Sequence, residues 1–319
     1  MKKKLLAAIS IAAMLLVGCQ SNIERYGEPL IFTTGTTTGV FYSLGAGIST
    51  MWTNELEKRV ASQASNGSIE NLNLMRKGEA NISFTTVNIA YEAYNGVGSF
   101  EGRQYENIRI LGNLYPNISH IIVKKNDKYK SIEDLKGTSF VFGAAGSATE
   151  VESRLVLEAH GIGENDIKAN YVGFTEATDL MRNGQVEGVN IYTGVPAAAA
   201  TELISTVDSR VLSMSDSAID YLVEEYPWNF AYTIEPNTYD KQPEAIQTVG
   251  QYSTIVIDES VNEETVYQLT KALWENLSSL EKSYSIAKQF SPENAVSGTA
   301  DIPLHPGAER YYREIGVGE

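Results

Sequence analysis

The chain has 319 residues and a formal net charge of −15, so it is long enough for two domains and too acidic to favour nucleic acid as a partner. Its single cysteine, Cys19, excludes an intramolecular disulfide. The three histidines, His120, His160 and His305, are far apart in the sequence and have no neighbour at ligand spacing. We therefore expect no bound metal and no cofactor.

The N-terminal residues have the pattern of a secretory signal. MKKK is basic, and the apolar run that follows at 5–17 is too short to span a membrane. Leu-Val-Gly-Cys at 16–19 resembles a bacterial lipobox, which is cleaved before the cysteine. We predict a signal peptide at 1–18 and a lipidated Cys19 with a short tether at 19–29, so that the lipid bilayer is a partner through Cys19. The alternative is an ordinary signal peptide with an incidental cysteine.

Beyond the tether, short β-rich runs alternate with helical patterns. Strands are predicted at 30–34, 81–86, 108–114, 120–125, 139–145, 167–173, 188–194 and 253–258. Helices are predicted at 69–78, 146–161 and 175–184, and one long helix or two in series at 262–290. This alternation predicts an α/β protein with mostly parallel sheets. Because no long linker divides the chain, we expect two lobes joined by crossing strands.

The segment TTGTTTGVFYSLGAG at 33–47 follows the first predicted strand and leads into a helix that runs toward Trp52. Its first seven residues contain five hydroxyls and two glycines. The first turn of a helix carries free N–H groups and partial positive charge, which attract anions. Glycine lets a ligand approach the backbone closely. Taken alone, the segment is equally compatible with a plain helix cap.

Similar polar helix starts recur along the chain. They lie at 64–72 (ASNGSIENL), 85–96 (TTVNIAYEAYNG), 143–150 (GAAGSATE) and 190–199 (NIYTGVPAAA). Ligands of open α/β sheets bind at the carboxyl ends of the strands. The recurrence therefore predicts one pocket for a small anionic or zwitterionic solute. Ordinary loop chemistry at each position is the alternative.

Ser147 stands between a predicted strand and a predicted helix, as the nucleophile of a hydrolase does. The G-x-S-x-G pattern is absent, however, and no histidine lies near a matching motif. We therefore expect Ser147 to cap a helix and the protein not to be an enzyme. A surface serine hydrolase with Ser147 as nucleophile is the less favoured alternative. For Arg154, a surface ion pair is favoured over binding of a ligand carboxylate.

These residues resemble the TAXI-type solute receptors of tripartite ATP-independent periplasmic (TRAP) transporters. The similar segments, in order, are TGTTTGVFYSLGAG, NGSIENLNLMRKGEANISF, IAYEAYNGVGSFEG, LKGTSFVFGAAGSATE, YVGFTEATDLMRNGQVEG, VYQLTKALWEN and LHPGAERYYREIG. The resemblance covers residues 30–316. This sequence departs from the family pattern at several expected pocket positions: Phe41, Ser43, Thr86, Asn88 and Val195.

The resemblance implies a type II periplasmic-binding-protein fold, with two α/β lobes, a hinge and a ligand cleft between the lobes. We expect residues 30–115 with 250–319 to form the first lobe and 116–249 the second. Carried over by position, ligand contacts are implied at Thr36, Thr37, Thr38, Gly39, Tyr42, Asn66, Gly67, Ser68, Thr86, Asn88, Gly146, Ser147, Thr149, Tyr192, Thr193 and Pro196.

The resemblance further implies an exported, lipid-anchored receptor at the outer face of the cytoplasmic membrane or facing the periplasm. It would capture a small organic acid or amino acid, glutamate-like or dicarboxylate, and deliver it to the membrane permease subunits of a TRAP transporter. We expect a monomer. The alternative partners of the same fold are an ABC importer or a sensor kinase.

Overall fold

The computed structural model describes residues 29–56 and 58–318. The predicted signal peptide, Cys19 and nearly all of the tether therefore lie outside the described residues. Within the described ranges, no helix combines the length and apolar character needed to cross a bilayer.

Ten strands and eleven α-helices follow one another in the two described ranges. The strands are β1 Leu30–Thr33, β2 Val60–Gln63, β3 Ile82–Thr86, β4 Ile108–Lys124, β5 Ser139–Val141, β6 Lys168–Asn170, β7 Gly188–Thr193, β8 Ser209–Leu212, β9 Phe230–Ile234 and β10 Ile246–Asp258. The helices are α1 Val40–Glu55, α2 Ser68–Arg76, α3 Val87–Asn95, α4 Ala148–Ala159, α5 Phe174–Arg182, α6 Ala198–Thr206, α7 Asp216–Glu225, α8 Glu263–Glu275, α9 Leu277–Ser283, α10 Pro292–Ala295 and α11 Pro306–Glu314.

The strands form one continuous sheet in the order β2-β1-β3-β10-β4-β7-β5-β6, with β8 beside β4 and β9 beside β10. Parallel pairing is confined to the two ends of the sheet, where β1 joins β2 and β3, and β5 joins β6 and β7. At the centre, β4 and β10 run antiparallel to all their partners. The prediction of mostly parallel sheets is therefore wrong at the centre. Both central strands are buried on both faces, so the alternating pattern that marks many antiparallel strands is absent.

The two long strands connect the two lobes. The first part of β4 pairs with β10, and Ile118–Val123 pairs with β7. Conversely, β10 pairs with β9 up to Gly250 and with β3 from Ser253 onward. The pairing of β4 with β10 shifts register between Tyr252 and Thr254, within this crossing region. The lobe boundaries expected near residues 115 and 250 fall in these strands and stay a prediction.

Several predicted elements have different bounds in the structure. The strands predicted at 108–114 and 120–125 are one strand, because Pro116 fits the extended backbone and faces Tyr252 of β10. The strand predicted at 253–258 is the second half of β10. The helical pattern at 262–290 is divided into α8, α9 and a 3₁₀ turn at Ser285–Gln289. Asn262 caps α8 by accepting hydrogen bonds from the N–H groups of Glu264 and Thr265.

Each lobe has its own apolar core. In the first lobe, Phe32, Leu44 and Trp52 are fully buried and pack with the face of α8 that carries Leu269. In the second lobe, residues of α4, α5, α6 and α7 pack on the two faces of the sheet. Ala148 and Tyr192 of the second lobe, however, pack among Leu72 and Ile89 of the first. The two lobes are therefore in contact across the cleft, in a closed arrangement.

Candidate functional site

A cavity of about 60 Å³ lies between the two lobes, where β1, β3 and β7 reach their carboxyl ends. Residues of both lobes line it: Gly35, Thr36, Gly39, Val40, Phe41, Asn66, Gly67, Ser68, Thr86 and Asn117, with Ser147, Ala148, Thr149, Phe174, Tyr192 and Thr193. Strand ends that meet in an open α/β sheet are where such folds hold ligands. The cavity is the candidate functional site.

The structure brings together ten of the predicted site residues at this cavity. They are Thr36, Gly39, Asn66, Gly67, Ser68, Thr86, Ser147, Thr149, Tyr192 and Thr193. Six others do not line it: Thr37, Thr38, Tyr42, Asn88, Gly146 and Pro196. Contact of any of these residues with a ligand stays a prediction.

Five of the six residues outside the cavity have identifiable reasons for their positions. Thr37 and Thr38 are exposed on the turn before α1, and Pro196 is exposed after its cis peptide bond. Phe41, not Tyr42, takes the place on α1 that faces the cavity. Asn88 is buried behind the cavity wall, where its Oδ1 accepts a hydrogen bond at 2.6 Å from Oγ1 of the lining residue Thr86.

The start of α1 presents free backbone donors to the cavity. Gly39 is the N-cap residue and supplies no side-chain cap. Its own N–H donates a hydrogen bond to the carbonyl oxygen of Thr36 at 2.8 Å. In the part of the chain that the structure describes, no acceptor is bonded to the N–H groups of Val40 and Phe41. Both residues line the cavity. Unpaired N–H groups at a helix start form a site for an anion.

The start of α2 is occupied by the protein itself. The N–H groups of Ile69 and Glu70 donate to the carbonyl oxygen of Gly146 in the other lobe, at 3.1 and 3.4 Å. The Glu70 carboxylate also accepts from the N–H of Asn66 at 2.8 Å. Closure of the two lobes thus places a carbonyl where an anion would otherwise bind.

The start of α4 is only partly occupied. Ser147 is its N-cap, and Ser147 Oγ accepts from the N–H of Glu150 at 3.2 Å. The Glu150 carboxylate accepts from the N–H of Gly146 at 2.9 Å. The N–H groups of Ala148 and Thr149, two residues that also line the cavity, have no acceptor among the described residues, so α4 as well as α1 has donors to spare.

Two residues that line the cavity have buried hydroxyls without a hydrogen-bond partner among the described residues. Ser68 is 1% exposed and Tyr192 is 5% exposed, and neither Ser68 Oγ nor the Tyr192 hydroxyl has a hydrogen-bond partner among the described residues. Ser68 belongs to the first lobe and Tyr192 to the second. Buried polar atoms are almost always hydrogen-bonded in native proteins. These two hydroxyls are therefore positioned to bond to a group held between the lobes.

No lysine, arginine, histidine, aspartate or glutamate side chain is among the residues that line the cavity. The apolar part of the wall includes Phe174 and Phe41, whose ring stacks on Phe84 with centroids 4.7 Å apart. Arg154 is directed elsewhere, since its guanidinium pairs with Glu150 and Glu164 at 3.1 and 2.6 Å. This confirms the expectation of a surface ion pair for Arg154.

In the part of the chain that the structure describes, none of the three histidines is hydrogen-bonded to Ser147. His120 Nδ1 bonds to the carbonyls of Ile118 and Ile191, and His120 Nε2 bonds to the hydroxyl of Tyr239. The other two histidines, His160 and His305, are bonded at helix ends. Ser147 is the cap of α4, as the sequence predicts. Among residues 29–56 and 58–318, no group of three His, Cys, Asp or Glu side chains is placed to hold a metal ion.

A family model described as the NMT1-like family matches residues 32–316. The chain belongs to the NMT1-like family. This match covers both lobes, both crossing strands and every residue that lines the cavity.

Several solved structures are similar in fold to this NMT1-like chain. PhnD1 from Prochlorococcus marinus (MIT 9301), in complex with methylphosphonate, aligns with a TM-score of 0.57 and 13% identity over 90% of this chain and 98% of that one. A protein from Bordetella bronchiseptica RB50 aligns with a TM-score of 0.56 and 16% identity over 89% and 82% of the two chains. The alkanesulfonate-binding protein SsuA from Xanthomonas axonopodis pv. citri, bound to MOPS, aligns with a TM-score of 0.50 and 14% identity over 90% of this chain and 84% of that one. The predicted type II periplasmic-binding-protein fold is confirmed.

Proposed function

We propose that the protein is an extracytoplasmic receptor that captures a small anionic or zwitterionic solute between its two lobes and delivers it to a membrane transporter. The observation that carries this proposal is the interlobe cavity, with free N–H groups at the start of α1 and unpartnered hydroxyls from both lobes. Neutral donors can bind an anion without leaving a buried charge of the protein's own when the cavity is empty.

Capture follows from the contacts on both sides of the cavity. The anionic group of the solute accepts hydrogen bonds from the start of α1 in the first lobe, and a second polar group bonds to Ser68 and to Tyr192 of the other lobe. Because the solute contacts both lobes only when they are closed, it stabilises the closed form. Bending at the crossing region of β4 and β10 opens the cleft for release.

The closed cavity favours a short solute. A cavity of about 60 Å³ has room for roughly four to six water-sized groups. Solutes of this size include short-chain carboxylates, small amino acids and methylphosphonate, the ligand of the structurally similar PhnD1. Glutamate, with roughly twice as many non-hydrogen atoms, requires a wider cleft than this one. We therefore rank short acids ahead of the glutamate-like acids that the sequence resemblance implies.

A thermal-shift screen on ligand-free, refolded protein starting at Gln20 tests the proposal. The panel contains amino acids, keto acids, dicarboxylates, aromatic acids, alkylphosphonates and alkanesulfonates. A solute at 100 times its Kd adds about 2.7 kcal/mol to the free energy of unfolding, which a melting curve resolves. A shift by short acids and none by neutral sugars of similar size supports the proposal. No shift by any acid contradicts binding of an anion at the start of α1.

We further propose a TRAP transporter as the partner, on the strength of the sequence resemblance. The runner-up is an ABC importer. Transport into vesicles that contain candidate permeases separates the two, because a TRAP system requires an ion gradient and an ABC importer requires ATP. Uptake that survives ATP depletion but not collapse of the ion gradient supports the TRAP partner. The converse result supports the ABC importer, and binding without uptake by either supports a sensor kinase.

Export and lipid anchoring are proposed from residues outside the described ranges. Substitution of Cys19 by serine is expected to move the protein from the membrane fraction to the soluble fraction, without a change in solute binding. Membrane attachment that persists in this variant contradicts the anchor. We also propose that the protein is a monomer without enzymatic activity, which light scattering and an ester-hydrolysis assay test directly.

A further inference from the structure

A buried carboxyl group without a cationic partner lies close to the cavity. Glu152 on α4 is 0% exposed. Its Oε1 accepts a hydrogen bond from Ser119 Oγ on β4, and its Oε2 accepts one from Gln251 Nε2 on β10, both at a long 3.4 Å. No ion pair of the described residues includes Glu152. An ionised carboxylate in this position would be poorly compensated.

The groups around Glu152 are neutral and incompletely bonded. Asn88 Nδ2, Asn190 Oδ1 and the Tyr192 hydroxyl are all buried and lack partners among the described residues. A protonated carboxyl group has both a donor and an acceptor, which matches a cluster that contains an unpaired donor and an unpaired acceptor. A carboxylate offers acceptors only.

The cluster around Glu152 joins the two lobes. Gln251 Oε1 accepts from the N–H of Asn88, at the start of α3 in the first lobe, at 3.0 Å. Gln251 Nε2 donates to Glu152 in the second lobe. Glu152 also lies one helical turn from Ala148, on the same face of α4. Ala148 packs against Leu72 and Ile89 of the first lobe, so closure of the lobes buries this face.

We propose that Glu152 is a proton-binding site that couples lobe closure to pH: the closed form holds it as a neutral acid, and opening hydrates and ionises it. Closure then takes up one proton from solution, and opening returns it. This inference rests on the two-lobe closure of the proposed function and not on the identity of the solute.

The direction of the pH effect follows from burial. Burial raises the pKa of Glu152 from its ordinary 4.5 to about 7, against a smaller lowering by the bonds from Ser119 and Gln251. A raised pKa stabilises the closed form below about pH 4.5, and this stabilisation is lost as pH rises through about 7. If Glu152 has its ordinary pKa of 4.5 in the open form, the ratio of closed to open molecules falls by up to about 300-fold between about pH 4.5 and pH 7.

The other titratable groups near Glu152 do not supply a compensating charge. Tyr192 is the titratable group from β7, and burial, followed by the charge of Glu152, raises its pKa well above the ordinary value, so it stays neutral. His120 on β4 is bonded to Tyr239, and burial lowers its pKa to about 4. The charged residues of the helices nearby are bonded elsewhere or exposed: Glu92 on α3, Glu150, Arg154 and Glu158 on α4, and Asp216, Asp220, Glu224 and Glu225 on α7.

Small-angle X-ray scattering of the ligand-free protein between pH 5 and 9 tests the proposal. Fluorescence of Trp228 gives a second readout, since its ring lies 5.1 Å from that of Tyr91 in the other lobe, whereas Trp52 and Trp274 are buried in the first-lobe core. We expect the wild-type protein to open as pH rises through about 7. Glu152→Gln, which is neutral at every pH, should stay closed throughout. Glu158→Gln, at an exposed position of the same helix, should behave as wild type.

Three outcomes overturn the proposal. The first is that Glu152→Gln opens with pH as the wild-type protein does, and the second is that neither protein opens at all. The third is that closure depends on sodium or potassium at fixed pH, which would assign a cation to Glu152. If Glu152→Gln does not fold, the infrared carbonyl band of the wild-type protein decides, because a protonated carboxyl must persist at pH 6 and disappear by pH 9. None of these results depends on the acid screen, so failure of either proposal is seen separately.

Discussion

The start of α1 and the starts of α2 and α4 look alike in the sequence but differ in the structure. All three combine glycine with serine or threonine. At α1 no described group accepts a hydrogen bond from the N–H groups of Val40 and Phe41, and both residues line the cavity. At α2 the Gly146 carbonyl of the other lobe accepts from the N–H groups of Ile69 and Glu70, whereas at α4 Ser147 Oγ accepts only from the third N–H group, that of Glu150.

This difference shows how one type of helix start serves two purposes. Where a protein group accepts the N–H bonds, the helix start holds the lobes together or stabilises its own helix. Where no protein group does so, the same partial positive charge is available to a solute. We therefore assign anion binding to α1 and lobe closure to α2, and four sets of substitutions test this division.

The largest expected effect is at Gly39. An aspartate at the N-cap position would accept the free N–H bonds of α1 and place a negative charge in the proposed anion site. We expect Gly39→Asp to weaken binding of the best acid from the screen about 100-fold, or roughly 3 kcal/mol, with no loss of thermal stability. Isothermal titration calorimetry and a melting curve measure the two quantities.

Gly39→Asn is the matched control for Gly39→Asp. A side chain at this position meets Thr36 O and Oγ1 at 3.2 and 3.3 Å, so both variants experience the same crowding. Asparagine caps the helix without a charge, and its effect on binding should be clearly smaller. Equal affinities of Gly39→Asp and wild type would place the anion elsewhere.

The next effect is at the α2 start, and it concerns stability. Gly67 has φ of 124° and ψ of −154°, a conformation that is open to glycine and not to other residues. Gly67→Ala should lower the free energy of unfolding by about 2 kcal/mol. Gly78 has φ of 76°, and an added Cβ there meets no atom within 4 Å. Gly78→Ala should therefore lower the free energy of unfolding by only about 1 kcal/mol. Urea denaturation that gives equal values for both would remove the special role of the turn before α2.

Local sequence patterns predict the outer parts of the fold and much of the cavity, because both depend on short segments. Polar helix starts after strands identify Thr36, Ser68, Ser147 and Thr149 as lining residues without knowledge of the fold. The antiparallel centre is not predicted, since Pro116 reads as a break in what is one long strand. The strands β2, β8 and β9 are not among the predicted elements.

Which helix start is free depends on contacts between distant segments. The bond from Ile69 to Gly146 joins residues of different lobes, and no local pattern indicates it. Asn117 and Phe174 line the cavity from β4 and α5, and neither stands in a polar helix-start motif. The choice of Phe41 over Tyr42 depends on where α1 begins, which sequence patterns predict only to within a few residues.

The two unpartnered hydroxyls provide a smaller test. Ser68→Ala and Tyr192→Phe should each weaken solute binding about 5- to 30-fold, because the solute loses one buried hydrogen bond. Neither change should destabilise the ligand-free protein, since the hydroxyls have no partner there. Ser153→Ala is the contrasting variant, because Ser153 Oγ donates to the carbonyls of Phe142 and Thr149. The Ser153→Ala variant should lose about 1 kcal/mol of unfolding free energy and keep the wild-type affinity for the solute.

The smallest effect is expected at Ser147, where cap and cavity coincide. Ser147→Ala removes the cap of α4 and should cost about 1 kcal/mol of unfolding free energy. Ser215→Ala removes the equivalent cap of α7, away from the cavity, and should cost a similar amount. The difference in solute affinity between Ser147→Ala and Ser215→Ala therefore isolates what Ser147 contributes to solute binding beyond its role as a helix cap. Since the Ser147 oxygen already accepts the N–H of Glu150, its remaining role is donation of its own O–H, and we expect a loss of less than about 10-fold. A complete loss of binding, or ester hydrolysis that disappears only in Ser147→Ala, would instead make this helix start the chemical centre of the protein.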